Sequence, residues 1–234
     1  MANQKVSVII PAAGISKRYS SSVKKQFAEL GGKPLLNYSV KAFELNENIN
    51  EIIVVTHADD IKEAKRLLIN FKKITNIVPG GKERQFSVKN GFKSVSGDTD
   101  IVLIHDAARP FISNNLINKI ITECMVNKAV ILAIPITDTV KEVDLSNLNI
   151  IKTVPRESLW RAQTPQAFKY SLLREIYDKL DLDSLNITDE SQLAELLGEK
   201  IKIINGSVYN LKVTDVNDLR IAESYIKSEI IENV

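Results

Sequence analysis

A chain of 234 residues, 44% hydrophobic and 26% charged, is long enough to bury a full core and has the balance of an ordinary soluble globule. Its 31 lysines and arginines against 29 aspartates and glutamates leave a formal net charge of +2, short of what a nucleic-acid-binding domain carries. No apolar stretch approaches the ~18 residues of a membrane span and no signal-peptide core is present. The one cysteine, Cys124, excludes an internal disulfide and a multi-cysteine zinc site, and fits a reducing, cytoplasmic setting.

The first predicted element is a strand over Val6–Ile10, a β-branched run that opens into Pro11-Ala-Ala-Gly-Ile-Ser-Lys-Arg18 and then Lys24-Lys25-Gln26. Residues 1 to 28 carry five cations, Lys5, Lys17, Arg18, Lys24 and Lys25, and no acid before Glu29. A strand that ends in a small-residue, cationic loop is built to hold a polyanion. Gly14 and the two alanines let a phosphate approach main-chain N–H groups, while Arg18 and Lys25 supply a fork and a point charge. Two bland readings stand beside this one: a solvated surface loop, and a transit peptide, which the β-branched run followed by Pro and Gly does not favour.

Further strands are predicted at Glu51–Thr56, Asn76–Val78, Ile101–His105 and Ala129–Pro135. Between them Ile61, Ala64, Leu67 and Leu68 keep helical spacing after Asp59 and Asp60, and Leu116, Ile117, Ile120, Ile121 and Cys124 do so after Ser113. This alternation predicts a single Rossmann-like α/β domain over residues 1 to 234, with a mostly parallel sheet flanked by helices. Ligands then bind at the carboxyl ends of the strands, where three loops converge: residues 11 to 25, the Pro79-Gly-Gly-Lys-Glu-Arg84-Gln-Phe-Ser87 segment, and His105-Asp-Ala-Ala-Arg109.

Residues 136 to 156 break the pattern as two extended arms around a polar turn, an inserted β-hairpin with too little apolar surface to stand alone. It packs either on a second copy of the chain or on its own body. After it, helices are expected at Tyr170–Leu180, Glu190–Leu197 and Asp215–Ile231, with strands at Lys202–Ile204 and Tyr209–Val213.

Standard motifs fail. In Gly31-Gly-Lys33-Pro34 a proline stands where a P-loop needs Ser or Thr, and Gly14-Ile-Ser16 lacks the second glycine of the dinucleotide fingerprint. No G-x-S-x-G elbow is present, and His57 and His105 are the only histidines. Asp106, a hard carboxylate at a strand end facing a cationic loop, suits Mg²⁺; helix capping or an ion pair with Arg109 is the alternative.

At this point Pro11-Ala-Ala-Gly14 with Arg18, Lys25-Gln26, Gly32-Lys-Pro34, Gly80-Gly-x-x-Arg84-x-x-Ser87 and His105-Asp-Ala-Ala-Arg-Pro110 form a series. It continues through Asp138-Thr139, Arg156, Leu159-Trp160, Gln163-Thr-Pro-Gln166, Thr188-Asp-Glu190 and Asn210-Leu-Lys-Val-Thr214. In order and spacing the series resembles the cytidylyltransferase family, with a nucleotide-diphospho-sugar transferase fold.

The resemblance implies attack by a sugar-alcohol phosphate on the α-phosphorus of CTP with release of pyrophosphate. The acceptor pattern is closer to enzymes acting on 2-C-methyl-D-erythritol 4-phosphate than to those acting on ribitol 5-phosphate. A catalytically silent CTP-binding module is the reading from another class. By similarity, Arg18, Lys25, Arg156 and Lys212 are catalytic, and Pro11, Ala12, Ala13, Gly14, Gly81, Lys82 and Ser87 line the CTP site. Arg109, Thr139, Thr164 and Thr188 face the sugar phosphate, and Asp106 holds Mg²⁺. The family pattern places Thr139 and Arg156 on an arm exchanged within a homodimer, so that active sites are shared; neither nucleic acid nor membrane is a partner. Two departures stand out: Ser16 where many members have glycine, and Tyr209 where many have an acid, so that the metal rests chiefly on Asp106.

Overall fold

A computed structural model describes residues 4–14 and 24–228. In chain order its elements are β1 (Val6–Pro11), β2 (Glu29–Leu30), β3 (Lys33–Pro34), α1 (Leu35–Glu44), β4 (Glu51–Thr56), α2 (Ile61–Leu67), β5 (Ile74–Pro79), α3 (Arg84–Phe92) and β6 (Ile101–Ile104). Then come α4 (Asn114–Val126), β7 (Ala129–Pro135), β8 (Val140–Val143), β9 (Ile150–Val154), β10 (Trp160–Lys169), α5 (Tyr170–Lys179), α6 (Glu190–Leu196), β11 (Ile201–Asn205) and α7 (Val216–Lys227).

Seven strands form one sheet in the order β11-β7-β10-β6-β1-β4-β5. All pairings are parallel except those of β10, which runs antiparallel to both β6 and β7. The α/β expectation of a mostly parallel sheet between helices therefore holds. Successive strand side chains point to opposite faces, so each central strand supplies two cores. Val8, Ile10, Ile52, Val54 and Leu103 pack with α1 and α4, whereas Ile9, Ile53, Val55, Val102 and Ile104 pack with α3, α5 and α6. Burying an Ile fully, as at Ile9, Ile10, Ile52 and Ile53, is worth about 2 kcal/mol each. A third cluster, including Leu30, Leu35, Tyr38, Phe111, Val213 and Ala222, seals α7 onto the β2-β3 ribbon and the loop after β6. Cys124 belongs to the first core, and burial pushes its thiol up to about 12, so it is inert packing.

Two differences from the sequence reading have physical causes. Residues 160 to 169, left unassigned by pattern, form the long strand β10, which carries Pro165 in the middle of the sheet. The register shift between Gln163 and Gln166 accommodates it, since a bulge is where an interior strand tolerates a missing N–H. Tyr209–Val213, expected as a strand, is a turn and loop. There Asn210 is buried and its amide donates to the Thr164 carbonyl at 2.9 Å, so the segment is tied down by a side chain rather than by a ladder.

The inserted hairpin is present as the antiparallel pair β8-β9, a separate two-stranded sheet. Leu145, Leu148, Ile150 and Ile151 on it are exposed by 59% or more. Among the described residues no helix is long and apolar enough to cross a membrane.

Candidate active site

Neighbours in the sheet order show that chain progression reverses at β1, with β4 on one side and β6 on the other. Helix α1 covers one face and α3 the other, so the loops leaving β1 and β6 diverge and open a crevice at their carboxyl ends. A cleft of about 430 Å³ lies there, lined by Pro11, Ala12, Ala13 and Gly14 after β1, and by Gly81 to Arg84 and Ser87 after β5. Asp106 to Ala108 after β6, together with Lys25, Gln26, His57 and Lys212, complete it.

Backbone bonds fasten these loops to each other. Ala12 N–H donates to Val55 O at 2.6 Å, Gly80 N–H to Thr56 O at 2.7 Å and Ala107 N–H to Pro11 O at 3.4 Å. The glycine pair is required by close approach. A Cβ at Gly80 would lie 2.4 Å from Ala13 Cβ, and one at Gly81 2.3 Å from Phe86 Cβ. The Ser87 hydroxyl accepts from Gly81 N–H at 3.1 Å and donates to Glu83 O, bracing the loop from below. Lys82, by contrast, is exposed, paired with Asp183 and placed 4.7 Å above the Phe86 ring.

Charge concentrates on the third loop. Asp106 Oδ2 lies 2.7 Å from Lys212 Nζ and 3.9 Å from Arg109 Nε, and Oδ1 lies 3.2 Å from Arg84 Nη2. Burial alone would raise this carboxyl, but the Arg84 and Lys212 charges outweigh it and hold Asp106 well below the usual carboxylate range. Asp106 is therefore ionised at neutral pH.

Behind it runs a directed hydrogen-bond chain. Asp106 N–H donates to Thr164 Oγ1 at 3.0 Å, and Thr164 Oγ1 lies 3.3 Å from Nδ1 of the fully buried His105. Nε2 of His105 is 3.0 Å from Arg109 O. A carbonyl only accepts, so Nε2 carries the proton and Nδ1 accepts from the threonine. Arg109 is buried as well, donating to the carbonyls of Asn210 at 2.7 Å and Ala162 at 3.3 Å.

Of the residues singled out by sequence, Pro11, Ala12, Ala13, Gly14, Lys25, Gly81, Lys82, Ser87, Asp106 and Lys212 share the cleft. Arg109 and Thr164 sit immediately behind Asp106. Thr139 and Arg156 lie exposed on and beside the hairpin, where Arg156 donates to Thr137 O, and Thr188 is exposed before α6. Arg18 and Ser16 fall outside the described residues. In the sequence Arg84 and Glu190 carry no role beyond their places in the Gly80-Gly-x-x-Arg84 and Thr188-Asp-Glu190 motifs. The structure pairs them, Arg84 Nη1 to Glu190 Oε2 at 2.5 Å, which no spacing of 106 residues announces.

No group of three or more His, Cys, Asp or Glu among the described residues could hold a metal alone. The ionised carboxylate of Asp106 at the cleft is nonetheless a protein share that Mg²⁺ takes when substrate phosphates provide its other ligands.

A mostly parallel sheet that gathers a glycine loop, lysines and the ionised Asp106 at its carboxyl edge is suited to holding the phosphates of a nucleotide. Residues 6–228 match the family model described as IspD: 2-C-methyl-D-erythritol 4-phosphate cytidylyltransferase. The chain belongs to this family, and so is a nucleotidyltransferase of CTP-dependent cytidylyl transfer to 2-C-methyl-D-erythritol 4-phosphate in the non-mevalonate isoprenoid pathway. A protein of that name from Alkaliphilus oremlandii is 41% identical over 227 residues, covering 96% of each chain. One from Clostridium perfringens strain SM101 is 42% identical over 226 residues, covering 95% of this chain and 99% of that one. The crystal structure of 4-diphosphocytidyl-2C-methyl-D-erythritol synthase from Anaerococcus prevotii is similar with a TM-score of 0.85 and 33% identity, over 96% of this chain and 97% of that one.

Proposed function

We propose that this cleft catalyses the transfer by positioning and charge neutralisation, with the named residues in specific roles. An oxygen of the acceptor's phosphate attacks the α-phosphorus of CTP. The new P–O bond forms as the bond from the α-phosphorus to the bridging oxygen breaks, and pyrophosphate leaves with that electron pair. The acceptor phosphate is already ionised at neutral pH, so no general base is needed. Arg18, Lys25 and Lys212 stabilise the charge that builds on the α- and β-phosphates. Pro11 to Gly14, Gly81, Lys82 and Ser87 hold the cytidine and ribose. The observation that carries this reading is the meeting of Lys25, Lys212, Asp106 and the Gly80-Gly81 loop on one crevice.

Asp106 would hold Mg²⁺ together with triphosphate oxygens; such an ion neutralises phosphate charge and polarises the reacting phosphoryl group. Arg109, Thr164 and Thr188 are assigned to the sugar-phosphate side. We assign the chain as one domain over residues 1 to 234 that works as a homodimer in the cytoplasm. Residues 136 to 156 form its exchanged arm, and Thr139 and Arg156 reach the partner's acceptor. The exposed apolar side chains of that arm are the surface such packing would cover.

Pyrophosphate release from CTP, measured side by side with 2-C-methyl-D-erythritol 4-phosphate and ribitol 5-phosphate, tests the reading, with ATP, GTP and UTP as controls. Release with CTP and the methylerythritol acceptor alone is expected; preference for ribitol phosphate or another nucleotide would refute it.

A further inference from the structure

Two motifs of the sequence, Gln163-Thr-Pro-Gln166 and Thr188-Asp-Glu190, are joined in space and lead to the cleft. Gln166 on β10 donates to Asp189 Oδ2 at 2.9 Å and accepts from Ser191 N–H at 3.1 Å. Asp189 in turn caps α6, accepting from Gln192 N–H at 3.1 Å. The N-terminus of α6 is thereby pinned to the middle of the sheet. From that pinned turn Glu190, with 0% exposure, puts Oε2 on Arg84 Nη1.

The far side of the same guanidinium faces Asp106. Nε and Nη2 stand 3.4 and 3.2 Å from Asp106 Oδ1, long for charge-assisted bonds, which settle at about 2.7–2.9 Å. Lys212 reaches that short distance on the other oxygen. Arg84 is thus shared between two buried acids and sits closer to Glu190. Glu190's other oxygen, Oε1, has no hydrogen-bond partner among the described residues, so its polar engagement is with Arg84. Burying such an acid is costly, and an apolar residue of similar size would serve stability as well.

We propose that Glu190 is a positioning residue for cytidylyl transfer: it holds the Arg84 guanidinium back from a bidentate clamp on Asp106, leaving that carboxylate available to the substrate complex. The inference rests on the role assigned above to Asp106. Without the pull of Glu190, a fork-shaped guanidinium beside a carboxylate closes into two parallel bonds, and Asp106 is withdrawn from the cleft.

The test compares Glu190→Gln, Arg84→Met and the double variant with wild type. In Glu190→Gln, a crystal structure should show Arg84 closed onto Asp106 at about 2.8 Å. Its kcat should fall about tenfold while the Kd for CTP, titrated without acceptor, changes less than about threefold. Because Glu190 acts through Arg84, the double variant should match Arg84→Met within about twofold, whereas a merely structural role would make the two effects multiply. Wild-type kcat in Glu190→Gln, or multiplying effects, would overturn the proposal. If Glu190→Gln does not fold, Glu190→Asp, which keeps the charge but withdraws it by one methylene, takes the same three readouts. Asp106→Asn separates the two levels. A fall in its kcat beside an unaffected Glu190→Gln sinks only this inference, and an unaffected Asp106→Asn sinks the role assigned to Asp106.

Discussion

Lys212 Nζ lies 2.7 Å from Asp106 Oδ2, joining the segment before α7 to the loop after β6 at the mouth of the cleft. The neighbouring bond from Val213 N–H to Ala108 O, 2.8 Å, sets the backbone from which the lysine reaches. Lys212→Ala should lower kcat by ~10² or more, as loss of a charge donor to a developing phosphate anion does. Its thermal unfolding should move little, because the Lys212 side chain is 39% exposed and Arg84 still faces Asp106. Steady-state kinetics beside a melting curve check this; a collapse of stability with turnover per folded molecule preserved would assign the lysine to structure.

The glycine loop gives a prediction about binding rather than chemistry. Gly80→Ala forces a Cβ to 2.4 Å from Ala13 Cβ, and Gly81→Ala forces one to 2.3 Å from Phe86 Cβ. The first must push the loops after β1 and β5 apart and the second must push the glycine loop off the first turn of α3, so in each the Kd for CTP should rise about tenfold or more. Fluorescence titration measures it, and tight CTP binding by both variants would remove the loop from the nucleotide site.

His105 makes stability depend on pH. Burial pushes its imidazole down to about 4 from 6.5, so the native state keeps it neutral while the unfolded chain takes up a proton. The stabilisation is complete above the unfolded value and is lost as pH falls toward the folded one, about 2 kcal/mol between roughly pH 7.5 and 5. Glu190, raised by burial against the pull of Arg84, acts in the opposite sense, and Asp106, lowered, contributes a loss only below the ordinary carboxylate range. Urea midpoints of wild type and His105→Gln across this window isolate the histidine. The variant should show the flatter profile, and parallel profiles would contradict the buried neutral ring.

For the arm, complementation decides. Arg156→Ala and Lys25→Ala subunits, refolded together, should form hybrids in which one site is intact, recovering about a quarter of wild-type activity from two inactive parents. No recovery would place both residues in the same subunit's site. Ile150→Asp with Ile151→Asp, at positions 62% and 59% exposed, should shift sedimentation toward the monomer.

Much of this was legible because central parallel strands are buried on both faces and read as apolar runs: Val6–Ile10, Glu51–Thr56 and Ala129–Pro135 needed no context. The three loops followed from where those runs ended. Helix α3 escaped because its buried positions include Gln85, Ser87 and Gly91, polar or small residues that leave no apolar period. Helix α1 follows Pro34 with no side-chain cap, and the Gly-Gly-Lys-Pro before it drew attention as a failed phosphate motif. Strand β10 was hidden by Arg161, Gln163, Thr164, Pro165 and Gln166, of which Gln163, Thr164 and Gln166 bond to neighbouring loops and to α6. In the site, single residues such as Asp106 and Lys212 were readable, but their partnership was not, since ion pairs across a fold follow from chain path rather than from spacing.

The most direct measurement is the rate of pyrophosphate release by Lys25→Ala at saturating CTP and 2-C-methyl-D-erythritol 4-phosphate, since Lys25 lines the cleft together with Asp106 and Lys212. A fall of ~10² or more, in a protein that still binds CTP and melts as wild type does, is what charge neutralisation at this cleft predicts. Turnover equal to wild type would contradict it.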